Sequence, residues 1–186
     1  MAEILAPFRS RRVVLVAIVV ALLTLGALLL FAPRVHEGAR LVSAVLLSCA
    51  FGSMAAAAVL FLRVSGMPKP GSVLDGLDTA RRRDVGRAVI QGEDVRLSES
   101  EEPHAVAFAR AYRDWLPRWT APYIALMLGL FLEALAQLRT WDGGFVAVLL
   151  VLEFALVLCA GVVLVPLQVR RIAGADRFVA RHGDLD

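Results

Sequence analysis

The apolar positions of this chain gather into four blocks, and the polar positions fill the stretches between them. Val13 to Ala32 runs for 20 residues without a charge. An α-helix needs roughly 20 apolar residues to cross about 30 Å of hydrocarbon. Further blocks follow at about Ala39–Leu62, Thr120–Leu138 and Gly144–Leu167, the last with Pro166 near its end. The pattern predicts an all-α polytopic membrane protein. Its four transmembrane helices form two antiparallel hairpins, 13–62 and 119–167, joined by a cytoplasmic helical link. The polar links Pro33–Gly38 and Arg139–Gly144 carry the proline and glycine chemistry of tight connections.

A signal peptide is the rival reading of the first block, because Arg9, Arg11 and Arg12 precede it. The apolar core of such a peptide is about 7–15 residues, shorter than this run. Ser10-Arg-Arg-Val-Val-Leu15 resembles a twin-arginine export signal only faintly. The expectation is an uncleaved first helix behind a short N-terminal segment, 1–12.

The link, 63–118, is the one sizeable polar region. Met67-Pro-Lys-Pro-Gly71 breaks the preceding helix. Asp78 stands in an N-cap position ahead of a short basic helix over 79–91, with Val85, Ala88 and Val89 on one side and Gly92 as its stop. Ser98 and Glu101 have capping-box spacing. A second amphipathic helix then runs to about Leu116, with Phe108, Tyr112 and Trp115 on one face, and Pro117 ends or kinks it. Both helices are expected on the inner membrane surface or against the bundle. They are too small for a catalytic domain with a deep core. A basic tail, 168–186, follows the fourth block, and the last helix is able to continue along it.

Composition agrees with the membrane reading. The chain has 186 residues, is 59% hydrophobic and has a mean hydropathy of +0.69; soluble domains are nearer about 45–50% apolar. A net charge of +3 gives no support for a nucleic-acid partner. Lysine and arginine number 17 in the N-terminal segment, link and tail together, against 3 (Arg34, Arg40 and Arg139) in or beside the two short links. The positive-inside rule then puts both termini and the link in the cytoplasm, at the plasma (inner) membrane. Arg81, Arg82 and Arg83, with Trp115 and Trp119, are candidate inner-leaflet lipid contacts.

Recognisable reaction chemistry is lacking. Cys49 and Cys159 both fall in apolar blocks, without a CxxC pattern or a Cys/His cluster. His36, His104 and His182 all lie outside the blocks, so a haem held between membrane-embedded histidines is excluded. No P-loop, GxSxG or HExxH motif occurs. No cofactor, metal or catalytic residue is expected, and the chain reads as a non-enzyme.

Two glutamates stand out against this background. Glu133 and Glu153 are the acidic residues inside long apolar runs, where a charge costs roughly 2.5–3.5 kcal/mol near mid-membrane. At about 1.5 Å of rise per residue, Glu133 lies about 9 Å and Glu153 about 13 Å below the outer boundary. Thr24 and Ser48 come to roughly 12–13 Å. With Gln137 they define a candidate polar layer in the outer half of the bilayer. Ala125, Gly129, Glu133 and Gln137 share one helix face at four-residue spacing, and Glu153 shares one with Val157, Ala160 and Gly161. One reading is structural, with neutral carboxyls bonded to Ser48, Thr24 or backbone carbonyls as glue worth about 1 kcal/mol each. The others are a polar cavity that binds a proton, cation or ligand amine, and contact with another protein's helix. Ala44, Ser48, Gly52 and Ala56 form a small-residue packing face on the second helix, suited to a helix of this chain or of another copy.

Arg81-Arg-Arg-Asp-Val-Gly-Arg-Ala-Val-Ile-Gln-Gly-Glu93 and Ala107-Phe-Ala-Arg-Ala-Tyr112, ahead of a helical pair and a basic tail, give residues 78–182 a resemblance. This layout resembles small uncharacterised four-helix membrane proteins of high-GC actinobacteria. The resemblance implies a fold and carries no activity. The function expected from the sequence is a structural or accessory subunit, packing with itself or with a larger membrane complex. The alternative is a small transporter or channel component that uses Glu133 and Glu153. Membrane lipid is the expected partner in either case.

Overall fold

The structure is a computed structural model that describes residues 6–31, 38–93, 95–138 and 145–182. The two short links predicted at 33–38 and 139–144 lie almost wholly outside the described residues. The described chain is all-helical, without strands. After a 3-10 turn at Ala6–Arg9 come α1 (Arg11–Phe31) and α2 (Gly38–Ser65). A second 3-10 turn, Pro70–Leu74, leads to α3 (Thr79–Gly86), which is extended by a π turn at Arg87–Gln91. Then follow α4 (Glu102–Gln137), α5 (Phe145–Cys159), a π turn at Ala160–Leu164 and α6 (Val165–His182). Four helices are long and apolar enough to cross a membrane: α1, α2, α4, and α5 with its continuation.

The inner pair is α2 and α4. Only 6% of the apolar stretch of α1, and 6% of that in α5 and its continuation, is buried, against 33% in α2 and 39% in α4. Small residues bring α2 close to both neighbours. A Cβ on Gly52 would stand 2.6 Å from the Ala17 carbonyl oxygen of α1, and one on Gly129 of α4 would stand 3.1 Å from the Ala50 carbonyl oxygen. The Ser53 hydroxyl crosses the seam and donates to the Ala125 carbonyl at 2.7 Å. Val13 fills the space where α1, α2 and α4 meet, packed with Ala56, Ala57, Leu60, Ala121 and Ala125. Near the same end, Arg63 donates to the Ser10 hydroxyl at 2.8 Å.

The pattern predicts that the helix ends or kinks at Pro117. Instead α4 is unbroken over 36 residues, with Pro117 and Pro122 inside it. A proline inside a helix loses one hydrogen bond and costs about 3 kcal/mol. Both rings are buried, as are Leu116 and Ala121 beside them, and the packing of α4 on α2 opposes that cost. One continuous helix therefore joins the polar link to the apolar block.

A second core lies at the polar end. Val85, Ala88 and Val89 of α3 and its π turn meet Ala105, Phe108, Tyr112 and Leu116 of α4, and Ile172, Ala175 and Phe178 of α6. The tail is thus an amphipathic helix that is part of a small helical domain. Asp78 caps α3, accepting from the Arg81 N–H at 2.7 Å. Gly92 ends the π turn at φ +70°, a left-handed conformation that glycine adopts without a Cβ penalty. Between α5 and α6 the π turn ends at Leu164, two residues before Pro166, which has no N–H to give to the carbonyl four residues back.

Candidate functional site

Glu133 sits on α4 and Glu153 on α5. The two helices meet where Phe131 and Phe154 pack edge to face, ring centroids 5.6 Å apart. Glu133 and Glu153 thus lie on packed helices, two residues beyond Phe131 and one before Phe154, with no hydrogen bond between them among the described residues. Gln137, one turn along α4, donates its side-chain N–H to Glu133 Oε1 at 3.2 Å. Both carboxyls are half-buried. No group of three or more metal-ligating side chains occurs among the described residues.

Thr24 and Ser48 turn inward to their own helices. The Thr24 hydroxyl donates to the Val20 carbonyl at 2.9 Å and the Ser48 hydroxyl to the Ala44 carbonyl at 2.7 Å. Among the described residues neither bonds a glutamate. A hydroxyl in a helix always has the carbonyl four residues back within reach, so a shared depth does not make a shared network. The helix-packing face has a clear place: Ala44, Ser48, Gly52 and Ala56 are all buried, and Gly52 meets α1 of the same chain.

The polar-end residues divide. Arg81 reaches Glu101 at 3.2 Å. Arg82 reaches Asp75 at 3.4 Å and donates to the Leu77 carbonyl at 2.9 Å. These two brace the small domain, while Arg83 lines an open groove. Glu101 also accepts from the Ser98 N–H at 2.8 Å, the reach-back half of the capping box. That bond and the Ser98 hydroxyl hold the Glu101 carboxyl below its ordinary pKa against the opposing effect of desolvation, with a lesser contribution from the Arg81 charge. Trp115 and Trp119 stack at 5.2 Å, and Phe61 of α2 meets Trp119 and Tyr123 edge-on. This aromatic cluster marks the change from polar to apolar surroundings along α4.

Two features escaped the sequence reading. Ser53 is the hydroxyl that bridges helices, yet it looks like any other small residue of an Ala-rich stretch. The other is a cavity of about 560 Å³ between α4 and the α5–α6 rod, lined by Tyr123, Met127, Phe131, Cys159 and Gln168 among others. The buried Gln168 Oε1 has no hydrogen-bond partner. The small-residue run Ala160-Gly161 was its one visible signal. No family model matches the chain, and neither does any curated protein or solved structure.

Proposed function

We propose that this chain is a multi-pass protein of the plasma (inner) membrane, with four spans arranged as two antiparallel hairpins. Its termini and its small helical domain face the cytoplasm. Its role is structural or accessory, packing with itself or within a larger membrane complex. One observation carries the membrane reading. Every exposed large hydrophobic side chain among the described residues lies within 14–62 or 123–167. The polar end, by contrast, buries its large apolar groups in its own core. Leu15, Leu22, Leu23, Leu30 and Phe31 of α1 are all more than half exposed, a surface that water disfavours and hydrocarbon accepts.

The accessory role is supported by how the polar groups near the middle of the bundle are used. Ser53 joins helices, Thr24 and Ser48 satisfy themselves, and Glu133 has Gln137. Native mass spectrometry of the protein, gently extracted in mild detergent, tests this role. The expected result is a mass above one chain, as a homo-oligomer or with a partner subunit. A clean monomer under all mild conditions contradicts it.

A second reading is favoured by the placement of Glu133 and Glu153 on two helices that pack together at Phe131 and Phe154. In it, the chain is a small transporter or channel component whose carboxyls take up a proton, cation or amine. Reconstituted liposomes discriminate the two. Flux that disappears in E133Q and E153Q, with folding intact, supports the second reading; no flux in the wild type leaves the carboxyls as packing groups.

A further inference from the structure

A groove of about 870 Å³ lies between the α3 π turn and α6, and five arginines line it: Arg83, Arg87, Arg170, Arg171 and Arg177. No carboxylate lines it. Arg171 also faces the Tyr112 hydroxyl, and Arg177 donates to the Ala173 carbonyl at 3.1 Å. Arg83, Arg87 and Arg170 have neither an acidic partner nor a hydrogen-bonded one among the described side chains. The same domain pairs three of its other arginines, Arg81, Arg82 and Arg113, with Glu101, Asp75 and Asp176. In this groove, by contrast, Arg83, Arg87 and Arg170 gather without a carboxylate.

The groove is held by tight packing. Gly174 of α6 rests on the backbone of the π turn, where a Cβ would stand 2.6 Å from the Ile90 carbonyl oxygen. This contact sets the distance between the two arginine-bearing elements. Leu167 lines the groove on its apolar side. One turn further along, Val163 continues the same exposed apolar strip, with Val163 49% and Leu167 39% exposed. A concentrated positive site thus adjoins a hydrophobic strip on a single helical rod.

We propose that this groove binds the phosphate headgroup of an acidic phospholipid, whose acyl chain lies along Leu167 and Val163. Guanidinium groups take phosphate oxygens through paired N–H donors, and basic pockets on the cytoplasmic side of transmembrane helices suit such headgroups. The adjoining apolar strip selects a lipid over a free phosphate. The proposal rests on the membrane reading above.

The test uses the purified full chain in detergent micelles, offered equal amounts of dioleoylphosphatidylglycerol and dioleoylphosphatidylcholine. Bound lipid is read by native mass spectrometry. The wild type is expected to retain phosphatidylglycerol preferentially. R87Q/R170Q is expected to weaken that retention on the order of 10- to 30-fold, at about one charge contact per arginine. R96Q/R118Q removes two positive charges of the same domain outside the groove and is expected to keep the preference. Circular dichroism of each variant checks folding, and R87Q and R170Q alone, each with a several-fold smaller effect, serve if the double variant misfolds. Equal retention of the two lipids, or equal loss in both double variants, overturns the proposal. Displacement by glycerol 1-phosphate at concentrations comparable to the lipid also overturns it, by assigning the groove to a soluble anion. Recovery of the chain in the soluble fraction without detergent is a separate result, and it sinks the membrane reading itself.

Discussion

Gly174 of α6 packs directly on the backbone of Ile90: a Cβ there would stand 2.6 Å from the Ile90 carbonyl oxygen and 3.2 Å from that of Val89. This contact docks the C-terminal helix on the π turn after α3. G174A must push backbone away and is expected to lower stability by about 1–3 kcal/mol. At Gly86, where no atom lies within 4 Å of the added Cβ, G86A is expected to be neutral or stabilising by up to about 1 kcal/mol. Thermal unfolding of the two variants side by side checks this. Equal Tm values would mean that the tail helix is not docked as described.

The close approaches of α2 are expected to rank by what each Cβ would meet. On Gly52 it meets the Ala17 backbone oxygen at 2.6 Å, whereas on Gly129 it first meets the flexible Met54 side chain at 2.8 Å. G52A is therefore the more damaging of the two, because a side chain can turn aside and a carbonyl cannot. Stability of both variants in the same detergent reads the order, and the reverse order contradicts the packing of α1 on α2.

Hydroxyl groups give a third contrast. S53A loses a bond between α2 and α4 and is expected to cost about 0.6 kcal/mol, at most about 1.7 kcal/mol. S48A and T24A lose bonds within single helices and are expected to change stability by less. Reversible unfolding in bicelles measures all three. A larger loss for S48A than for S53A would restore the cross-helix polar layer.

This contrast shows where sequence reading stops. The four apolar blocks, the Asp78 cap and the Gly92 stop depend on local chemistry, and each can be read from its neighbours. Pro117 was read locally too, as a helix end or kink, but the helix continues through it with the ring buried, which depends on residues far away in sequence. The tail showed its Ile172 and Phe178 between arginines, without any sign of the core that they enter. Of the candidate site, the pairing of Glu133 with Gln137 was legible because their four-residue spacing puts them on one helix face. The side-chain choice of Thr24 and Ser48 was not, since a carbonyl of the same helix competes with any partner at equal depth.

Acid should loosen the polar-end domain through Glu101. Its carboxyl is held below the ordinary 4.5 chiefly by the Ser98 N–H, then by the Ser98 hydroxyl and Arg81. A depressed folded pKa means that its stabilisation is complete above the unfolded value and is lost as pH falls through the folded one. The Tm of the wild type is expected to exceed that of E101Q at pH 6, and the gap to close below about pH 4.5. A gap that stays constant down to pH 3 would mean that the charge of Glu101 contributes nothing.

The most direct measurement of the central claim is cysteine accessibility in intact cells, in a background where C49A and C159A remove the native thiols. Single cysteines are placed by S72C in the link, H182C at the end of α6 and D142C between the last two spans. A membrane-impermeant maleimide is expected to label D142C in intact cells, and S72C and H182C only after the membrane is opened. Labelling of S72C or H182C in intact cells, or equal labelling of all three, would contradict four spans with both termini and the helical domain in the cytoplasm.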